Sequence, residues 1–201
     1  KIKKLQNKDI SFHANYSSIK KSDVIILCLP TPLKKNKPDL NYIENACKEI
    51  KTRINPGSVL ILESTSYPGT TEDFLYNALN LKRFTLGKNL FLGFSPERED
   101  PGNKKYSLEK IPKVISGYSK NCTRLIDKIY KIVVKKTVIA PSIKVAETSK
   151  LLENIYRAVN VTLVNEIKLI TNKLNIDIFD VINIAKTKPF GFKAFYPGQG
   201  L

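Results

Sequence analysis

Cysteine is scarce in this 201-residue chain, with only Cys28, Cys47 and Cys122. Three thiols so scattered exclude a disulfide framework and a zinc site, so no metal is expected. Cys28 falls in an apolar strand, and the other two fall on the core faces of helices; all three read as structural. Long apolar runs are missing too: none approaches the roughly 20 residues that cross a bilayer. The opening "KIKKLQNKDI" is basic but has no apolar core, so it is not a signal peptide. The expected location is cytoplasmic, with no membrane partner. There is no internal repeat, no low-complexity tract and no G-x-G-x-x-G turn; the one Gly-x-Gly is Gly198-Gln199-Gly200.

Acidic residues are also few, 18 against 34 Lys and Arg, for a net charge of +16. The lysines are spread through the chain, and no stretch interleaves basic with aromatic side chains as a stacking platform does. No nucleic-acid partner is therefore expected, while a phosphate-bearing small ligand suits the surplus.

What is present is alternation. "DVIILCL" (Asp23–Leu29) is a continuous apolar run, as in a parallel strand buried on both faces. Leu40, Ile43, Cys47, Ile50 and Ile54 recur at helical spacing, and Pro56-Gly57 closes that helix. "SVLILES" (Ser58–Ser64) and "LFLGFSP" (Leu90–Pro96) are further strands, "KVISG" (Lys113–Gly117) a short fourth and "TVIA" (Thr137–Ala140) a fifth. Thr70 to Asp73 has the Thr-x-x-Asp form of a capped helix start. Cys122, Leu125, Ile126, Ile129 and Tyr130 mark an amphipathic helix. This is the pattern of an α/β layer with a parallel sheet. From about Ser142 to Leu174 there is no Gly or Pro, and helical periodicity persists for roughly nine turns. A second helix follows from about Asp177 to Lys186.

Open α/β sheets bind ligands at the carboxyl ends of their strands. Three strands here run out into "LPTPL", "ESTSYPGT" and "FSPEREDPGN". On the long helix, Lys150 and Asn154 share a face at i and i+4, and Arg157 continues it. A hydride-transfer site has uses for such a pair: the ammonium for charge on a substrate oxygen, the amide to hold that oxygen or a water. Spacing alone fits a solvated helix face equally well.

With "AETSKLLENIYRAVNVTLVNE" and "TKPFGFKAFYPGQGL", these loops follow one another in the order of a known family. The chain resembles the UDP-glucose/GDP-mannose dehydrogenases over essentially its whole length, and most of all their bacterial UDP-N-acetylglucosamine 6-dehydrogenase branch. That resemblance implies a truncated Rossmann-like parallel sheet, then a long connecting helix and the start of a helical central domain. Residues 1–141 would be the C-terminal part of the NAD-binding domain and 142–201 the helix and the start of the central domain, with the UDP-binding domain absent. It implies NAD as cofactor and a UDP-sugar as substrate. Thr31, Pro32, Ser64 and Thr65 match NAD contacts, and Thr65 also lies beside the reacting centre. Glu97 matches the glutamate that assists hydrolysis of a covalent intermediate, and Lys150 the lysine that stabilises an oxyanion. Asn154 matches the asparagine that holds substrate or water. Arg98 and Arg157 join the substrate contacts, and Phe195, Tyr196 and Gly198 belong to a loop whose backbone lies against the uridine diphosphate.

The implied reaction is a double oxidation at C6 of the sugar, through a cysteine thiohemiacetal and then a thioester, for polysaccharide synthesis. In relatives the Gly-rich loop runs on into the segment that carries this cysteine. The chain therefore reads as an internal fragment, inactive alone, of an enzyme that dimerises through its central domain. Two positions depart from the branches compared: Gln199 replaces a second proline, and Pro101 falls where UDP-glucose enzymes carry a second glutamate. Pro101, together with Asn154 followed by Tyr156-Arg157 and Val159-Asn160, favours the N-acetyl branch. Competing readings are a UDP-glucose 6-dehydrogenase, a β-hydroxyacid dehydrogenase with its Lys-x-x-x-Asn pair, and a basic binding module that is no enzyme.

Overall fold

The structure, a computed structural model, describes residues 10–99 and 109–199; Pro101 and Gly200 lie outside them. Strands β1 (Val24–Leu27), β4 (Val59–Leu62), β5 (Phe91–Phe94), β6 (Lys113–Gly117) and β7 (Thr137–Ile139) form one sheet in that order. A two-residue hairpin, β2 (Leu33–Lys34) with β3 (Lys37–Pro38), stands apart. The helices are α1 (Asn41–Ile50), α2 (Lys120–Tyr130), α3 (Ile143–Lys173) and α4 (Ile178–Ala185). Their cores are the periodic residues read above: Ile43, Cys47 and Ile50 on α1, and Cys122, Ile126 and Tyr130 on α2, are buried.

β4 lies between neighbours, and all four of its residues are buried. Side chains alternate across a strand, so Leu60 and Leu62 pack into the cluster with Ile43, Cys47 and Ile50 of α1. Val59 and Ile61 pack into the cluster with Ile126 and Tyr130 of α2. Each such side chain contributes roughly 1.5–3 kcal/mol on full burial. β1 departs from the expectation of burial on both faces. Among the described residues it is an outer strand with one neighbour, and Ile26 stays 43% exposed.

β1, β4 and β5 run parallel. β6 then enters antiparallel to β5, pairing Gly93 with Gly117 and Phe94 with Ser116, and β7 is parallel to β6. A methyl group on Gly93 would collide with Ile126 Cδ1 and the Ser116 carbonyl, so glycine lets α2 close on this junction.

Contacts divide the chain into two units, Lys1–Thr148 and Ser149–Leu201. The first holds the sheet and the opening of α3. The second holds the rest of α3, α4 and the C-terminal loop.

Candidate functional site at the carboxyl edge of the sheet

Because β1, β4 and β5 are parallel, the segments after them leave from one edge. Ser64 Oγ accepts from the Leu29 N–H at 2.7 Å and donates to the Leu27 carbonyl at 3.3 Å. Thr31 Oγ1 donates to the Thr65 carbonyl at 2.6 Å. The Pro32 carbonyl accepts from the Asp39 N–H at 2.8 Å, at the base of the hairpin. Thr31, Pro32, Ser64 and Thr65 are thus brought together. Beside them, Ser66 Oγ is buried and has no hydrogen-bond partner among the described residues. An orphaned hydroxyl in a loop of stitched donors and carbonyls fits a polar amide such as that of a nicotinamide.

The third segment meets β6. Continuing the antiparallel register from Phe94↔Ser116 sets Glu97 opposite Lys113, and Lys113 Nζ lies 3.1 Å from Glu97 Oε2. The same ammonium lies 3.1 Å from Glu63 Oε1 at the end of β4. Tyr130 of α2 donates its hydroxyl to Glu63 Oε1, and its ring centroid is 5.3 Å from the ammonium. Glu97 Oε1 accepts the Arg98 and Glu99 N–H groups, both at 2.7 Å, and Arg98 Nη1 donates to the Pro112 carbonyl at 3.0 Å. Burial works against charge on Glu97, but the Lys113 ammonium and these N–H donors prevail and hold its carboxyl below the ordinary range. Glu97 is therefore ionised at neutral pH and can accept a proton.

The thiols do the opposite. Cys28 lies exposed just past β1, yet partial desolvation, then the charge of Glu63, pushes its thiol up to about 11; burial pushes Cys47 up to about 12. Cys122 is fully buried. A nucleophile must be a thiolate, so Cys28 and Cys47 are poor candidates and Cys122 is inaccessible.

The Thr-x-x-Asp reading of the next helix needs correcting. Thr70–Leu75 is a run of wide π turns continued by one α turn at Tyr76–Ala78, and Thr70 Oγ1 donates to the Tyr67 carbonyl instead of capping it. The cap comes from α3. Glu147 Oε2 accepts the Gly69 N–H at 2.6 Å, and Oε1 accepts the Thr71 N–H and hydroxyl at 2.9 and 2.8 Å. Glu147 is fully buried, and that burial, outweighing these donors, raises its carboxyl.

In the second unit, Lys150 and Asn154 are half-buried and Arg157 exposed along α3. Phe195 meets Tyr156 edge to face at 5.6 Å, and the Lys193 ammonium lies 5.8 Å from the Phe195 centroid and 5.9 Å from that of Tyr156. Tyr196 stacks on Phe179 at 6.4 Å. The Asn165 amide donates to the Gly198 carbonyl at 2.8 Å and accepts its N–H at 3.1 Å. That two-bond clamp fixes the Tyr-Pro-Gly turn.

Residues 1–134 match the UDP-glucose/GDP-mannose dehydrogenase family's NAD binding domain, and residues 144–201 match its central domain. The chain belongs to this family. Protein CapL of Staphylococcus aureus is 40% identical over 198 residues, covering 97% of this chain and 46% of that protein. The UDP-N-acetyl-D-glucosamine 6-dehydrogenase of Salmonella typhi is 38% identical over 192 residues, covering 94% and 45%. The solved UDP-D-ManNAc dehydrogenase of Pyrococcus horikoshii superposes with a TM-score of 0.82 at 34% identity, covering 90% of this chain and 43% of that one. The chain thus spans about half the length of the curated relatives it matches.

As a UDP-glucose/GDP-mannose dehydrogenase family member matched by that family's NAD binding domain, the chain has NAD as its cofactor. Lys113, Glu63, Tyr130, Glu147 and Asn165 are the residues at these sites that motif reading passed over. Among the described residues, no cluster of His, Cys, Asp or Glu is able to hold a metal ion, and no helix is long and apolar enough to cross a membrane.

Proposed function

We propose that the whole protein is an NAD-dependent UDP-N-acetylhexosamine 6-dehydrogenase, taking UDP-N-acetylglucosamine to its uronate for polysaccharide synthesis. The observation that carries this reading is the Glu97 carboxylate held 3.1 Å from the Lys113 ammonium, on the sheet edge that also gathers Thr31, Ser64 and Thr65. The activity for which the Salmonella relative is named points the same way.

In this reading Thr31, Pro32, Ser64 and Thr65 line the nicotinamide side of the cofactor cleft. NAD, when bound, accepts the hydride in each oxidation. Thr65 faces the sugar C6. Lys150 stabilises negative charge on the reacting oxygen, and Asn154 holds that oxygen or the attacking water. Glu97 takes a proton from this water as its oxygen attacks the acyl carbon, and the thiolate leaves. The thiol belongs to the whole protein rather than to Cys28, Cys47 or Cys122. Arg98 and Arg157 contribute to the substrate's polar contacts. Phe195, Tyr196 and Gly198 present the clamped loop to the uridine diphosphate. The exposed apolar residues Val159, Leu163, Ile170 and Leu174 suit a homodimer contact, and the setting is cytoplasmic.

The test is turnover by the whole protein with NAD and, in turn, UDP-N-acetylglucosamine, UDP-N-acetylmannosamine and UDP-glucose. The reading expects the highest kcat/KM with UDP-N-acetylglucosamine. A preference for UDP-glucose would move the protein to the other branch.

A further inference from the structure

A lysine at the start of a parallel strand would sit at the sheet edge away from the ligands. Lys113 is the first residue of β6, and β6 is antiparallel to β5. The reversal carries Lys113 to the same edge as Glu97. Its side chain is 6% exposed, that of Glu63 13% and that of Glu97 45%. The ammonium is therefore the fixed, buried partner, and Glu97 is the one that reaches toward solvent.

Among the described residues, the groups gathered near the ammonium come from several elements. Glu63 comes from the end of β4, Tyr130 from α2, Cys28 from beyond β1, and Glu97 with Arg98 from beyond β5. Cys28 Sγ donates to Glu63 Oε2 at 3.6 Å, and the Tyr130 hydroxyl donates to Glu63 Oε1. Among the described residues, Glu63 is thus supplied by three donors, Lys113 included, whereas Glu97 has Lys113 and two backbone N–H groups. One ammonium faces two carboxylates. When Glu97 takes a proton, the Lys113–Glu63 pair that remains is neutral.

Resting on the reading above, in which Glu97 is the base, we propose that Lys113 is a positioning residue: its buried ammonium, anchored by Glu63 and Tyr130, holds the Glu97 carboxylate in place and charged to receive the proton of the hydrolytic water. Glu63 sets how strongly it does so, because it competes for the same ammonium.

Two measurements test this separately from the substrate assignment. In this chain, labelled with carbon-13 at the glutamate carboxyl carbon, the Glu97 signal is identified by its loss in Glu97→Gln and followed through a pH titration. Lys113→Met shifts the Glu97 titration to higher pH, because the attracting charge is gone. Glu63→Gln shifts it lower, because Lys113 then serves Glu97 alone. Opposite shifts support the proposal. An unmoved Glu97 titration in a folded variant overturns it, and Glu63→Gln decides alone should Lys113→Met not fold. Neither readout needs a substrate.

In the whole protein, Lys113→Met lowers kcat by roughly tenfold or more, moves the acidic limb of its pH profile toward neutrality and leaves KM for the UDP-sugar near wild type. Lys113→Arg recovers part of kcat. A fall in kcat with an unshifted acidic limb, or a loss confined to KM, would reduce Lys113 to a structural role. Should the wild type reduce no NAD with any UDP-sugar, the dehydrogenase reading fails while the titrations still decide the clamp.

Discussion

Glu147 Oε2 accepts the backbone N–H of Gly69 at 2.6 Å, so the carboxylate opening α3 also closes the loop after β4. Gly69 has φ +98°, a conformation that strains a side chain. Its positive φ sits in the turn that leaves its N–H to Glu147. Glu147→Ala leaves the Gly69 and Thr71 N–H groups without a partner in a buried place. It is expected to destabilise the fold by about 3 kcal/mol, measurable as a lower urea midpoint at unchanged slope.

The same residue makes a pH prediction with a definite sign. Burial raises the Glu147 carboxyl above its unfolded value. The folded state therefore keeps this proton more readily than the unfolded chain. Its contribution is fully present below the unfolded carboxyl range and is lost as pH climbs through the raised folded value. The difference in unfolding free energy between wild type and Glu147→Gln, followed from pH 3.5 to 7, isolates this group; a wild-type advantage that instead grows through that window would contradict it.

Tyr130→Phe keeps the ring in the core beside Ile126 and Val134 but deletes the donor to Glu63. The carboxylate retains Lys113 and Cys28, so the expected loss is about 1–2 kcal/mol, read by thermal or urea melts. A neutral result would mean that the hydroxyl bond does not persist in solution.

Gly93→Ala places a methyl group against Ile126 Cδ1 and the Ser116 carbonyl. The isoleucine can turn aside, but the carbonyl belongs to the β6 backbone. A cost of about 2–3 kcal/mol is expected, and the smaller Ile126→Val should recover little of it, because the backbone collision remains.

The strands, the long helix and the helix that begins near Asp177 were legible because apolar runs and helical periodicity survive without tertiary information. That Thr31, Ser64, Thr65 and Glu97 follow strand ends was legible, because the apolar runs before them mark the strands. Lys113 was not, since strand direction is not written in "KVISG", and a parallel β6 would put that lysine on the wrong edge. Glu147 looks like any solvated charge on an amphipathic helix; only the packing of Ile143 and Ala146 beside it, both fully buried, takes it out of water. Asn165 is one of several polar residues on α3, and its selection depends on where Gly198 returns. Thr70 misled because a Thr-x-x-Asp string also fits a helix capped from elsewhere.

The most direct test counts cofactor against sugar. The whole protein, given limiting UDP-N-acetylglucosamine and excess NAD, should form about two NADH for each sugar consumed, with a carboxylate product. One NADH per sugar, with the product stopped at the aldehyde, would contradict the account, because Glu97 would then have no acyl intermediate to hydrolyse.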